Sequence, residues 1–283
     1  MMVAQSINYW NSRRHRKFVM GDIHGGVKAL AQVLERCEFD YERDTLIQLG
    51  DVADGWSNTY ECVQILLQVK NLIAIRGNHD ETFNQWLKTG SHPYNWDQGA
   101  HETLKSYCNA IGFELKSHKT VIDDGMGGKI TQYLVNAIPE IIPQEHVDFF
   151  RKQIKYYIDD DNNIFVHAGF DRQFPFKEQD ESIYYWDRKL WKQALSSRSS
   201  QTDMKFADES IGEIFIGHTT TTAWGIDHPI KADRVWNMDT GAGFNGRLSI
   251  MEVNTKELWQ SDLLPELYPE EMGRYEPRKT KKL

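Results

Sequence analysis

Seven polar side chains able to hold or move a charge stand where five short apolar runs stop. Asp22 and His24 follow "KFVM", Asp51 follows "TLIQLG", Asn78 and His79 follow "NLIAIRG", His167 follows "NNIFV", and His218 follows "EIFIG". Each has a plainer reading when taken alone. An Asp-x-His pair caps a helix, "GNHD" makes a turn, and a single histidine hydrogen-bonds inside a core. Together they describe a metal site. Asp22, His24, Asp51, Asn78, His167 and His218 offer carboxylate, imidazole and amide donors, which suit divalent manganese, iron or zinc. No thiolate joins them, which argues against a structural zinc site. The set is larger than one four-coordinate ion needs and fits two ions sharing a bridging carboxylate. Two such ions, roughly 3.5–4 Å apart, can clamp the attacking and leaving oxygens of an in-line displacement at phosphorus and bring the pKa of water down to about 7.

Something must bring these residues together. The apolar runs have the length and Ile/Val/Leu/Phe content of buried strands. Helical spacing follows several of them. Val27, Leu30, Ala31 and Leu34 form one stripe, and Leu104, Tyr107, Cys108 and Ile111 form another with Gly112 as its stop. A further helix is predicted from Pro143, with Val147, Phe150, Ile154 and Tyr157 facing inward and "DDDNN" ending it. Strands alternating with helices predict an α/β build, whose ligands bind at the carboxyl ends of strands. The polar tips run from Asp22 to His218, so a single catalytic domain is expected over residues 1–265. Residues 84–134 are expected to form a cap or side wall. The stretch after His218 reads as an antiparallel meander, and residues 266–283 as a flexible tail.

Composition narrows the function. The 283-residue chain carries a formal net charge of -8, which repels a nucleic-acid backbone. No apolar run reaches membrane-spanning length, and the N-terminus lacks the apolar core of a signal peptide. The three cysteines, Cys37, Cys62 and Cys108, are scattered and form no C-x-x-C unit. Reduced thiols and a cytoplasmic location are therefore expected, with neither nucleic acid nor membrane as partner.

In order along the chain, "GDIHG", "GDVAD", "RGNHD", "VHAG" and "GHT" resemble the motifs of the calcineurin-like metallophosphoesterases. Within that family the likeness is to the phosphoprotein phosphatase superfamily, in its bacteriophage-type Ser/Thr phosphatase branch, beside the symmetrical diadenosine tetraphosphate hydrolases. It extends from about Phe18 to Val253 and takes in "YYWDRKLW" and "WNMDTGAGFNGRLSIMEV". The resemblance implies two mixed β-sheets packed face to face and flanked by helices, a four-layer sandwich. It implies that Asp22 and His24 hold a first metal, that Asp51 bridges, and that Asn78, His167 and His218 hold a second. Manganese is foremost among the metals it implies, with iron, zinc or magnesium as alternatives. His79 would protonate the leaving oxygen and Asp54 would orient it. Arg76 and Arg188 would grip the phosphate through paired, charge-assisted bonds.

The implied activity is hydrolysis of phosphate monoesters, on a phosphoserine or phosphothreonine protein or a small phosphoester. The alternative is hydrolysis of diadenosine tetraphosphate or another nucleotide phosphoanhydride, with Trp56, Trp96 or Trp186 stacking on a base. A more remote one is an inactive metal-binding scaffold. One departure stands out. The family usually follows "GDxVD" with arginine, whereas here Gly55 takes that place, and Arg172 in "HAGFDRQ" is a candidate to compensate.

Overall fold

The computed structural model describes residues 15–93, 96, 98–123 and 129–274. The N-terminal segment, 1–14, and the last part of the expected tail, 275–283, lie outside the described residues. Two five-stranded sheets form the body. The first has the order β12-β11-β1-β2-β3, from β1 (Lys17–Met20), β2 (Thr45–Gln48), β3 (Asn71–Ala74), β11 (Ser249–Glu252) and β12 (Leu258–Gln260). The second has the order β6-β7-β8-β10-β9, from β6 (Tyr156–Ile158), β7 (Ile164–Val166), β8 (Ile214–Ile216), β9 (Ile230–Ala232) and β10 (Val235–Asn237). A separate hairpin pairs β4 (Ser117–Asp123) with β5 (Lys129–Val135).

β1, β2 and β3 run parallel, as do β7, β8 and β10. Side chains alternate across each strand and so feed two layers at once. From β1, Phe18 and Met20 join the core under the helices, while Val19 turns to the other side. From β7 and β8, Phe165 and Phe215 also enter the layer between the sheets, stacked at 4.8 Å, with Ile47, Leu49, Met238 and Met251 around them. Ile164, Val166, Ile214 and Ile216 face the opposite way into a third core. Burial on both faces explains why these runs read as continuously apolar.

Helices cover the outer faces: α1 (Val27–Arg36), α2 (Thr59–Leu66), α3 (Asn78–Thr89), α4 (Ala100–Ala110), α5 (Gln144–Lys152), α6 (Glu181–Trp186), α7 (Lys189–Ser200) and α8 (Leu264–Leu267). Several expectations need correction. α1 buries Ala29, Leu30, Val33 and Leu34, and Ala31 is exposed. α5 stops at Lys152. Ile154 lies beyond it in a bridge to Ile75, Tyr157 belongs to β6, and the acidic run turns the chain from β6 to β7. The stretch after His218 is no single meander. β10 pairs with β8 in one sheet, whereas β11 and β12 extend the other, so the loop between β10 and β11 crosses from sheet to sheet. Nor is the chain loose from residue 266 to Arg274. Tyr268 is buried and stacks on Trp56 at 5.0 Å, and Glu271 accepts hydrogen bonds from Ser57. Among the described residues no helix is long and apolar enough to cross a membrane.

Candidate active site

Parallel pairing sends the carboxyl ends of β1, β2 and β3 to one edge of the first sheet, and those of β7 and β8 to one edge of the second. The five loops meet there. Asp22, His24 and Asp51 bring ligand atoms within 4.8 Å of one another, and so do Asp51, His167 and His218. Asp51 is common to both groups. Its Oδ2 lies 3.7 Å from His24 Nε2 and 3.4 Å from His167 Nε2. Asn78 Oδ1 completes the second group, 3.0 Å from His167 Nε2 and 2.8 Å from His218 Nδ1. All six side chains are buried.

The donor chemistry fits cations. A carbonyl oxygen can only accept, so a ring nitrogen facing one carries the proton. His24 Nδ1 faces the carbonyls of Ala53 and Asp54, and His167 Nδ1 faces that of Leu49. Each imidazole therefore presents Nε2, the nitrogen left to coordinate a cation, to carboxylate and amide oxygens. Divalent cations satisfy such a set. Charge crowding says the same. Burial and then the like charges of Asp239 and Asp51 hold the Asp22 carboxyl well above the usual range. Burial alone would lower His167, but the Asp51 carboxylate beside it raises it to about 9.

Backbone strain gathers in the same place. His24, Asp51, Asp54 and His218 have φ of 51°, 56°, 65° and 66°, a region that costs free energy for residues with a Cβ. Close approach does too. A Cβ at Gly77 would sit 2.0 Å from Asp51 Oδ1, and one at Gly217 would sit 2.1 Å from Asp22 Oδ1. Only glycine leaves room for these carboxylates.

Beside the cluster, His79 and Asp54 form a dyad. His79 is the second residue of α3, and its amide donates to Asp51 Oδ1. Its Nδ1 donates to Asp54 Oδ2 at 2.8 Å. The Asp54 carboxylate is fully buried and also accepts from Trp96 Nε1 and Thr103 Oγ1. Among the described residues His79 Nε2 has no hydrogen-bond partner. Asp80, one position on, accepts from the amides of Val52, Ala53 and Gly77 and from Gln153, tying three loops to α3. Burial pushes its carboxyl up to about 6.

Not every expected residue arrives. The Arg76 guanidinium pairs with Glu81 at 2.9 Å and donates to the carbonyls of Phe150 and Arg151 at the end of α5. It serves helix packing and does not reach the cluster. Arg172 donates to Gln193 and to the carbonyl of Lys205, again elsewhere. Arg188 does sit at the rim, with Nη1 donating to Thr219 Oγ1 and to the carbonyl of His218. Trp56 and Trp96 are buried and bonded through Nε1. Trp186 is 54% exposed, edge-on to the His218 ring at 6.2 Å.

Two residues were missed. Asp239, buried beside Asp22, follows β10 at the end of "RVWNM", the same strand-end signal that marked the others. Arg274 donates from Nη1 to His24 Nε2 at 3.2 Å, and no local pattern announces it.

Comparison with known proteins agrees with this geometry. The sequence profile of the calcineurin-like phosphoesterases matches residues 15–220. Serine/threonine-protein phosphatase 1 of Salmonella typhimurium is 38% identical over 64 residues, 23% of this chain and 29% of that protein. The symmetrical bis(5'-nucleosyl)-tetraphosphatase of Coxiella burnetii is 30% identical over 63 residues, 22% of each chain. Both matches thus span less than a third of the relative's length. The enzyme of that name from Neisseria gonorrhoeae is 21% identical over 279 residues, 86% of this chain and 94% of its own. A solved structure named provisionally as a diadenosine tetraphosphatase superposes with a TM-score of 0.58 at 16% identity, covering 88% of this chain and 94% of that one. That likeness establishes the shared fold of packed mixed sheets. With the profile covering most of its length, the chain belongs to the calcineurin-like phosphoesterase family.

Proposed function

We propose that the chain is a phosphatase that hydrolyses phosphate monoesters with two divalent cations, manganese foremost, and that phosphoserine or phosphothreonine in a protein is its substrate. The observation that carries this reading is the sharing of Asp51 between two ligand groups beside the His79–Asp54 dyad. Asp22, His24 and Asp51 would hold one cation, and Asp51, Asn78, His167 and His218 the other. Bound there, the cations supply a positive floor for the phosphoryl group and an acidified water. His79, oriented through Nδ1 by Asp54, holds a proton at Nε2 for the leaving oxygen. Arg188 lies where it can bond the phosphate's outer oxygens. The three separately buried, unpaired cysteines suit a reducing, cytoplasmic setting.

One observation favours a second reading. Trp186 is more than half exposed beside His218, where an indole suits stacking on a base. Hydrolysis of dinucleoside polyphosphates, the reaction named for the Neisseria relative, would use it. A panel separates the two. Chelator-treated protein should be inactive and recover with manganese. The recovered protein should release phosphate from a phosphoserine peptide and p-nitrophenyl phosphate faster than it cleaves diadenosine tetraphosphate. The reverse order, lost in Trp186→Ala, would establish the second reading, and full turnover without metal would overturn both.

A further inference from the structure

The segment after β12 returns to the site. Leu264 is fully buried, the amide of Lys28 donates to the Tyr268 hydroxyl, and Glu271 holds Ser57. The chain then reaches Arg274, whose amide donates to the carbonyl of Gly243 at 2.9 Å. Its side chain runs inward between two loops, each of which offers a glycine. A Cβ at Gly55 would meet Arg274 Cγ at 3.5 Å, and one at Gly243 would meet Arg274 Cδ at 2.9 Å. The Arg274 stem thus occupies the ground beside Gly55, the turn that follows Asp54.

The guanidinium is only partly engaged. Nη2 donates to Gln98 Oε1, Nη1 to His24 Nε2, and the Phe244 ring lies 4.9 Å from Cζ. Nε is buried with no partner. None of the ion pairs among the described residues includes Arg274, so no carboxylate neutralises it directly. A cation on His24 Nε2 would take the lone pair that Nη1 now uses, leaving a second donor without an acceptor. Arg188 stands at the His218 end of the same cluster. Guanidiniums at both ends of a site that holds divalent cations repel that charge unless an anion lies among them. A phosphoryl group supplies such an anion, and its planar sets of oxygens match the guanidinium fork.

We propose that Arg274, carried in by the C-terminal segment, is a substrate-binding residue that grips the phosphoryl oxygens from the Gly55 side, opposite Arg188. This rests on the phosphoesterase reading above. It assigns residues 264–274 a part in substrate recognition.

The test uses the full chain loaded with manganese and inorganic phosphate as probe. Phosphate binding is measured by calorimetry, alongside steady-state hydrolysis of p-nitrophenyl phosphate and metal content. Arg274→Ala should weaken phosphate about 10- to 150-fold, the range for one charge-assisted contact, raising KM more than it lowers kcat while both metals stay bound. Arg274→Lys should recover part of the loss, because it keeps the charge and not the fork. Wild-type affinity for phosphate in Arg274→Ala overturns the proposal alone. So does a loss of metal at unchanged phosphate affinity, which would make Arg274 a prop for His24. A wild-type chain that binds no phosphate and hydrolyses no ester overturns the phosphoesterase reading, and this proposal with it.

Discussion

Asp54→Asn isolates the work of the His79–Asp54 dyad with little else disturbed. Asp54 sits at φ 65°, a conformation asparagine tolerates better than most residues, so the backbone that supports His24 Nδ1 should persist. The side chain is another matter. His79 Nδ1, Trp96 Nε1 and Thr103 Oγ1 all donate to the carboxylate. Thr103 Oγ1 also accepts from the Asp54 amide, so its own proton must point at the carboxylate. An amide has one accepting oxygen where the carboxylate has two. If that oxygen serves Trp96 and Thr103, the NH2 faces His79 and removes its charged partner. One hydrogen bond to a charged group is worth roughly 1.5–3 kcal/mol, which corresponds to about a 10- to 150-fold loss in rate. The loss should appear only where the leaving oxygen needs a proton. Manganese-loaded wild type and variant are therefore compared on a series of aryl phosphates. The ratio should be largest for phenyl phosphate and shrink for p-nitrophenyl and more acidic leaving groups. Metal content should match in both proteins. An equal loss across the series, or a loss of metal, would refute the assignment of His79 as the acid and Asp54 as its orienting partner.

Two other perturbations probe separate parts of the molecule. Asp51→Asn removes the carboxylate common to both ligand groups, so elemental analysis should show both metals lost together, and loss of only one would refute sharing. His146, fully buried between Tyr107 and Gln64, has its pKa pushed down by burial to about 4, with Glu145 opposing. The unfolded chain then binds a proton first as pH falls, so stability should be intact above about 6.5 and decline toward pH 4 by at most roughly 3 kcal/mol. Denaturant unfolding at the two pH values reads this, and His146→Asn should flatten the dependence.

Legibility in the sequence followed the range of the interaction. A strand end is a local event, an apolar run followed by a polar residue, and every candidate ligand found that way lies in the cluster. The shared position of Asp51 was inferred from family likeness, and the parallel registers of β1, β2 and β3 are what bring it between His24 and His167. Arg76 was implied by the family likeness and went elsewhere. Past Ile75 the chain bridges to Ile154, and the Arg76 amide bonds the Ile154 carbonyl, which holds its side chain against α5 and Glu81. Glu81 is close in sequence, but the bridge to Ile154 and the carbonyls at the end of α5 are not, and no pattern at residue 76 announces them.

Gly55 shows the same limit from the other side. As sequence it is a missing contact, and an arginine there would be the obvious repair. In the structure Gly55 has φ 138°, and an added Cβ would stand 2.8 Å from the His24 carbonyl oxygen and 2.9 Å from its Cβ. The turn is closed down on the loop that carries a candidate ligand, so no L side chain fits without moving His24. The space a side chain from residue 55 would need lies against the stem of Arg274. The glycine and the distant arginine are thus one packing solution. The loop can tighten around His24 because the cation arrives from another part of the chain, and that part is held by Trp56 and Ser57, the two residues that follow the glycine.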